Sequence, residues 1–330
     1  MPLKHGLHRY LPKVWASRNG WARLLTPLSL LFGALVAARQ ALYRSGFLPS
    51  VRLPVPVLVV GNVVAGGAGK TPLTIAIVQH LLDQGWRPGV VSRGHGRQTR
   101  DTRAVHMDSS PGDVGDEPLL IHQKTGVPVW VGSKRSAAGL GLLQTHPEIN
   151  ILICDDGLQH GALARDLEIC VMDERGIGNG WLLPAGPLRE SWPKKVDLLL
   201  HTGVNSLGGG FQAQRQLEDW AQDGLGRRVT LDSLIGQPVD ALAGLARPTG
   251  FFNLLQEKGL TLHQTTPLPD HFDFVTWSNS PLTRPLLCTE KDAAKLWRHQ
   301  PLALAVPLRL TPEPAFWQAF DRMVLALPQR

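Results

Sequence analysis

A glycine-rich loop set between an apolar run and a helix-like stretch constrains this chain more than any other feature. Residues 55–60 are apolar, Ala65-Gly66-Gly67-Ala68-Gly69-Lys70-Thr71 follows, and residues 72–82 carry a helical pattern. In such a strand–loop–helix order, glycines let backbone N–H groups converge, and the helix N-terminus adds partial positive charge. The result is a cradle for phosphate oxygens, so the order predicts nucleoside triphosphate binding. Gly66, Gly67, Ala68 and Gly69 would line the phosphates. Lys70 would reach the β- and γ-phosphates, and the Thr71 hydroxyl would ligate Mg²⁺. The strict pattern has one more glycine, six residues before the lysine, where this chain has Val64. The competing reading is a strand-to-helix turn without a ligand.

The chain of 330 residues carries a formal net charge of +7, and the whole excess sits at one end. Residues 1–50 hold seven basic side chains, Lys4, Arg9, Lys13, Arg18, Arg23, Arg39 and Arg44, and no acid. The other 27 basic residues equal the 27 acids. A one-sided basic block predicts contact with an anionic surface, either membrane or nucleic acid. Within it, residues 24–38 form a 15-residue uncharged stretch. That is short of the roughly 20 residues a bilayer span requires. It also lies too deep, without a small-residue cleavage site, for a signal peptide. Trp15, Trp21 and Tyr43 flank it, as expected of a helix lying at headgroup level. Basic residues that surround an apolar helix disfavour nucleic acid, and so does the charge-neutral body. The expectation is peripheral attachment to an anionic membrane face. The alternative is a buried core helix with a solvated basic flank. Cys154, Cys170 and Cys288 lie in apolar stretches without metal or disulfide spacing, which suits a reducing compartment.

After Pro54, short apolar runs alternate with helix-like stretches, which predicts a parallel α/β sheet. Strands are expected at 55–60, 89–92, 127–131, 150–154, 167–172 and 196–202. Residues 208–210 read as a loop or helix start and 212–222 as a polar-faced helix. A second set of strands is expected at 239–245, 260–265, 285–289 and 302–310. The predicted class is α/β: a P-loop NTPase-type parallel sheet sandwiched by helices, a second smaller α/β domain, and an N-terminal membrane-associated helix. The expected divisions are 1–50, 51–230 and 231–330, with the second boundary falling between 224 and 238.

Two further segments carry chemistry. Residues 150–154 lead into Asp155-Asp156-Gly157, and an apolar strand ending in a carboxylate is how phosphate-loop proteins hold Mg²⁺ or its water shell. Its position 85 residues after Lys70 strengthens that reading over a turn-initiating Asp-Asp-Gly. Gly115-Asp116-Glu117-Pro118 offers a carboxylate that could deprotonate an acceptor hydroxyl. By itself it reads as a helix start, with Asp116 as cap and Pro118 in the first turn. Thr289-Glu290-Lys291-Asp292 reads as an N-cap box and is expected to be structural.

Several segments occur in a fixed order: Gly61-Asn62, Ser92-Arg93-Gly94, Gly115-Asp116-Glu117-Pro118 and Asp155-Asp156-Gly157-Leu158-Gln159-His160. Pro184-Ala185-Gly186-Pro187-Leu188-Arg189-Glu190, Pro269-Asp270-His271 and Thr289-Glu290-Lys291-Asp292-Ala293 follow. Together they closely resemble the tetraacyldisaccharide 4′-kinase (lipid A 4′-kinase) family, over residues 20–310. Family members usually have Tyr after Ser-Arg-Gly, where this chain has His95, and the missing glycine at Val64 is itself a family habit.

The resemblance implies transfer of the ATP γ-phosphate to the 4′-hydroxyl of a tetraacylated glucosamine disaccharide 1-phosphate in lipid A biosynthesis. The enzyme would act as a monomer at the cytoplasmic face of the inner membrane, with ATP and Mg²⁺ and without nucleic acid. Asp116 becomes the base and His271 its partner. Asp155, Asp156, Thr71 and Glu117 become Mg²⁺ ligands. Arg93, Arg135, Gln159 and Arg189 become contacts to the substrate, its 1-phosphate or the transferred phosphoryl group. A membrane-associated ATPase switch of the partition type is the rival. It usually carries a second lysine near the start of the glycine loop, and residues 61–69 contain none.

Overall fold

The computed structural model describes residues 14–15, 17–203, 208–277 and 281–328. Lys4, Arg9 and Lys13 of the basic block lie outside the described residues.

The larger sheet has nine strands. They are β1 (Val57–Gly61), β2 (Pro88–Ser92), β3 (Arg103–Val105), β4 (Val129–Val131), β5 (Ile151–Asp155), β6 (Leu167–Met172), β7 (Leu198–His201), β8 (Phe211–Leu217) and β15 (Leu308–Pro312), in the order β15-β8-β7-β6-β1-β5-β2-β4-β3. β1 lies between β5 and β6, parallel to both. Only the edge pairs β3–β4 and β8–β15 are antiparallel. β1, β2 and β5 are buried at every residue, as a parallel strand covered on both faces must be. The helix Lys70–Asp83 covers one face with Leu73, Ile77, Val78 and Leu81. The helix Arg135–Thr145 covers the other with Ala138 and Leu142.

The second sheet takes β9 (Trp220–Gln222), β10 (Arg228–Thr230), β11 (Pro238–Ala243), β12 (Thr261–Pro267), β13 (Leu286–Thr289) and β14 (Leu304–Val306), in the order β10-β9-β14-β13-β11-β12. The chain then returns. β15 pairs with β8, and Phe316 and Phe320 of the helix Pro314–Leu325 join the core of the first sheet. The segment 302–310, expected as one strand, is two strands in different sheets. The segment 212–222, expected as a helix, is corrected to strand. β8 alternates between buried and exposed residues and β9 follows, because a slot between β7 and β15 satisfies its backbone on both sides.

At the N-terminus, the helix Thr26–Arg44 buries only Ser29, whose hydroxyl donates to Leu182 O at 2.7 Å. Leu28, Leu30, Leu31 and Leu35 are exposed, Leu30 to 70 %. Among the described residues, no helix is long and apolar enough to cross a membrane.

Candidate active site

The chemistry-bearing segments converge at the C-terminal ends of β1, β5 and β2, where open parallel sheets bind ligands. After β1, the buried Asn62 turns the chain. Its amide donates to Val64 O at 2.8 Å and Gly66 O at 3.3 Å. Val64, which stands where the strict pattern has glycine, is buried in a bridge to Leu188, and Ala65 N donates to Pro187 O at 2.8 Å. Gly66 and Gly69 adopt φ of 94° and 90°, which explains glycine at both. Gly69 is the N-cap of the helix that starts at Lys70, and Ala68 is fully buried. Gly67 has open space around it, and Thr71 is half-buried at the helix start.

The loop is also clasped from outside. Arg175 donates to Ala65 O at 2.9 Å and Gly67 O at 3.1 Å, and buried Asp173 holds its Nε through both oxygens at 2.9 Å. Engaging these carbonyls fixes the peptide planes of the loop. Neither residue has a local spacing signal in the sequence.

Lys70 Nζ lies 3.2 Å from Asn62 Oδ1 and 3.6 Å from Asp156 Oδ1. Arg189 donates to the same Asp156 oxygen at 2.8 Å. Burial pushes the Asp156 carboxyl up, but Lys70 and Arg189 outweigh it and hold the group below its usual value. Asp156 takes a left-handed φ of 50°, a conformation uncommon outside glycine and concentrated at functional sites. Asp155 is buried and accepts from Thr74 Oγ1 at 3.0 Å. Burial and the Asp156 charge push it up to about 7. Arg135 is buried near Asp156 O, and Arg93 stands exposed at the end of β2. Gln159 donates to Asn62 O at 3.0 Å and Glu190 Oε1 at 2.6 Å. Its amide nitrogen braces the loop, a role the sequence does not suggest.

The third constellation crosses between the sheets. Asp116 begins the helix Asp116–Thr125, but Gly115 holds the cap position, which corrects the expectation of an Asp116 cap. Gly115 has φ of 94° and sits so close to Gly94 that a Cβ would lie 2.9 Å from its Cα. Only glycine brings this loop against Ser92-Arg93-Gly94. The freed Asp116 carboxylate accepts on Oδ2 from His271 Nδ1 at 2.8 Å and Lys295 Nζ at 2.9 Å. Burial pushes Asp116 up, yet His271, Lys295 and Lys291 together hold it below the ordinary carboxylate value. For His271, burial is outweighed by Asp116 and Glu117, and the ring stays above its ordinary value. Lys291 lies 2.9 Å from both Glu117 Oε1 and Asp270 Oδ1. Glu117 Oε2 is buried without a partner. His95 stacks edge-on against His271 with ring centroids 5.1 Å apart.

Lys291 and Lys295 join this cluster, as Arg175 and Asp173 join the glycine loop, without a site role expected from the sequence. Thr289 does cap its helix, accepting from Asp292 N at 3.2 Å. The i, i+4 lysine pair on that helix was the available signal, since such a pair shares one face.

A model of the LpxK family, tetraacyldisaccharide-1-P 4′-kinase, matches residues 21–325. A tetraacyldisaccharide 4′-kinase of Acidovorax sp. (strain JS42) is 55 % identical over 316 residues, covering 95 % of this chain and 94 % of its own. The enzyme of the same name from Acidovorax ebreus (strain TPSY) is 56 % identical over 316 residues, with the same coverage. That from Polaromonas naphthalenivorans (strain CJ2) is 51 % identical over 330 residues, covering 97 % and 96 %. The crystal structure of an "apo" form of LpxK from Aquifex aeolicus in complex with ATP has a TM-score of 0.80 at 29 % identity, covering 92 % of this chain and 99 % of that one. With relatives more than half identical along nearly its whole length, this chain belongs to the tetraacyldisaccharide-1-P 4′-kinase family.

Proposed function

We propose that this chain transfers the γ-phosphoryl group of ATP to the 4′-hydroxyl of a tetraacylated glucosamine disaccharide 1-phosphate, a step of lipid A biosynthesis. The observation that carries this reading is the Asp116 carboxylate, kept ionised by His271 and Lys295 at the start of a helix that packs against the one the glycine loop opens. An ATPase switch needs no such group. Asp116 takes the proton of the acceptor hydroxyl as the new O–P bond forms and the bond to the ADP oxygen breaks. His271 orients the carboxylate, and Lys70 and Arg189 meet the charge on the transferring group.

The donor set fits Mg²⁺. Asp155 is buried with Thr74 as its hydrogen-bond partner and its pKa pushed up to about 7, a state that a dication relieves. Thr71, Asp155, Asp156 and Glu117 would hold the ion, whose chemistry is to neutralise phosphate charge. Among the described residues, no three His, Cys, Asp or Glu side chains form a metal cage.

The nine-stranded unit supplies the nucleotide site and the six-stranded unit supplies His271, Lys291 and Lys295. The exposed leucines of Thr26–Arg44, with Arg23, Arg39 and Arg44, support a helix lying on an anionic membrane. We place the monomer at the cytoplasmic face of the inner membrane. The test is ATP labelled at the γ-phosphate, incubated with the disaccharide 1-phosphate. Label in chloroform-soluble lipid is expected; label released only as free phosphate overturns the reading.

A further inference from the structure

The glycine loop owes part of its shape to groups outside it. A trans peptide points its C=O and the following N–H in opposite directions. By donating to Ala65 O and Gly67 O, Arg175 therefore aims the amides of Gly66 and Ala68 away from its own guanidinium. Backbone amides turned to one side are what a phosphate cradle needs. Glycine-rich backbone loses much freedom when it is ordered, and a loop already held in its bound conformation binds more tightly. Whatever fixes Arg175 bears on nucleotide affinity.

Asp173 fixes it. This carboxylate, 2 % exposed, follows β6, the strand beside β1. It takes Arg175 Nε on both oxygens at 2.9 Å and Nη2 at 2.8 Å. A second arginine reaches the same group. Arg247 Nη1 lies 3.6 Å from Asp173 Oδ2, and Arg247 Nη2 pairs with Oε1 of the neighbouring Glu174. Arg247 comes from the six-stranded unit. It is the N-cap of the helix Pro248–Glu257, whose Phe251, Phe252 and Leu255 lie in the core of that unit. The proline that follows restricts the Arg247 backbone, so the side chain starts from a point fixed on that unit. Glu174 is seated from the other side: a Cβ on Gly203, after β7, would lie 2.8 Å from the Glu174 Cβ.

Taking the glycine loop as the ATP site, as proposed above, we infer that Arg247 is a positioning residue for nucleotide binding. It holds Asp173 and Glu174 from the six-stranded unit, Asp173 holds Arg175, and Arg175 sets the loop amides. Without Arg247, Glu174 is left to compete for Arg175, and the guanidinium is drawn off the loop carbonyls. No step of this arrangement requires Arg247 to touch the nucleotide. The six-stranded unit then acts on both sides of the transfer: on the acceptor side through His271 and Lys295, and on the donor side through Arg247.

The test compares the full chain as wild type, Arg175→Ala, Arg247→Ala and the double variant. The Arg247 side chain is 40 % exposed, so its removal opens no cavity, and a thermal melt checks folding. Calorimetric titration with ATP and Mg²⁺ gives the affinity, and turnover gives KM for ATP and for the lipid. Arg247→Ala should weaken ATP binding about fivefold, the upper range for a half-exposed ion pair, and leave KM for the lipid unchanged. Hydrogen exchange at the amides of residues 65–70 should quicken in the nucleotide-free protein. The double variant should lose no more than Arg175→Ala alone, because the two arginines act in series. Losses that multiply overturn the proposal and make Arg247 an independent contact. Unchanged ATP affinity, or weaker affinity with unchanged loop exchange, overturns it too. So does a KM for the lipid that rises in step, which would mark a general seating of the two units. If wild type takes up no ATP in the titration, the ATP reading itself fails.

Discussion

Replacing Asp116 with Asn separates proton acceptance from the other tasks of that residue. One oxygen, Oδ2, takes His271 at 2.8 Å and Lys295 at 2.9 Å, on a side chain only 6 % accessible. Asn keeps the volume and an acceptor oxygen. Gly115 holds the cap, so the helix start is not disturbed. What disappears is one negative charge between two cations. Loss of a general base lowers turnover by roughly 10² to 10⁴-fold, or about 2.7–5.4 kcal/mol at 1.36 per decade. The folding cost is smaller: weakening charged hydrogen bonds costs roughly 1.5–3 kcal/mol, seen as a Tm lower by a few degrees in a chain this size. The assay is label transfer into lipid at saturating ATP and acceptor, with a thermal melt alongside. His271→Ala should lose less, and the double variant should lose less than the product of the two. The wild-type rate should hold as pH falls through the ordinary carboxylate range, because the Asp116 pKa lies below its usual value. It should then fall as the base protonates, and the Asn variant should lack that limb. A folded Asp116→Asn protein within tenfold of wild type refutes the base assignment.

Lys70→Ala should abolish transfer, since no other lysine lies in the loop; near wild-type label incorporation would contradict the phosphate role. Arg175→Ala should raise KM for ATP by about tenfold through a loosened loop and leave KM for the lipid unchanged. Equal changes in both would show a general packing role. Deleting residues 1–45 should release the protein from anionic vesicles in a flotation assay while ATP binding persists. Continued flotation would place the anchor elsewhere.

What was legible in the sequence follows from how local each signal is. β1, β2 and β5 are fully buried apolar runs, and the glycine loop and the acids after β5 are contiguous motifs. The phosphate and metal roles proposed for them rest on such contiguous residues. Residues 212–222 misled because Gln, Ala, Arg and Leu are good helix formers. The period-two alternation of Phe211, Ala213, Arg215 and Leu217 was the better guide, and pairing with β7 and β15 overrides propensity. The return of β15 to the first sheet has no local signature at all. Nor does the clasp of Arg175 on the loop carbonyls, since its partner residues lie 110 and 108 positions away.

The least legible part of the site is the part that sets its chemistry. Asp116 and Glu117 belong to a helix of the first unit, whereas His271, Lys291 and Lys295 come from the second, 155 to 179 positions along the chain from Asp116 where they bond to it. Lys124 and Glu290 pair across the same junction. The largest single influence on Asp116 is burial, which pushes a carboxyl toward its neutral form. Only the cations of the second unit reverse that. With the units apart, the glycine loop would keep Lys70, Arg189 and the acids after β5, the groups proposed to hold the nucleotide. It would lack a carboxylate held ionised beside an acceptor hydroxyl. On the proposed reading, proton acceptance belongs to the junction between the sheets, and nucleotide binding rests on groups of the first sheet.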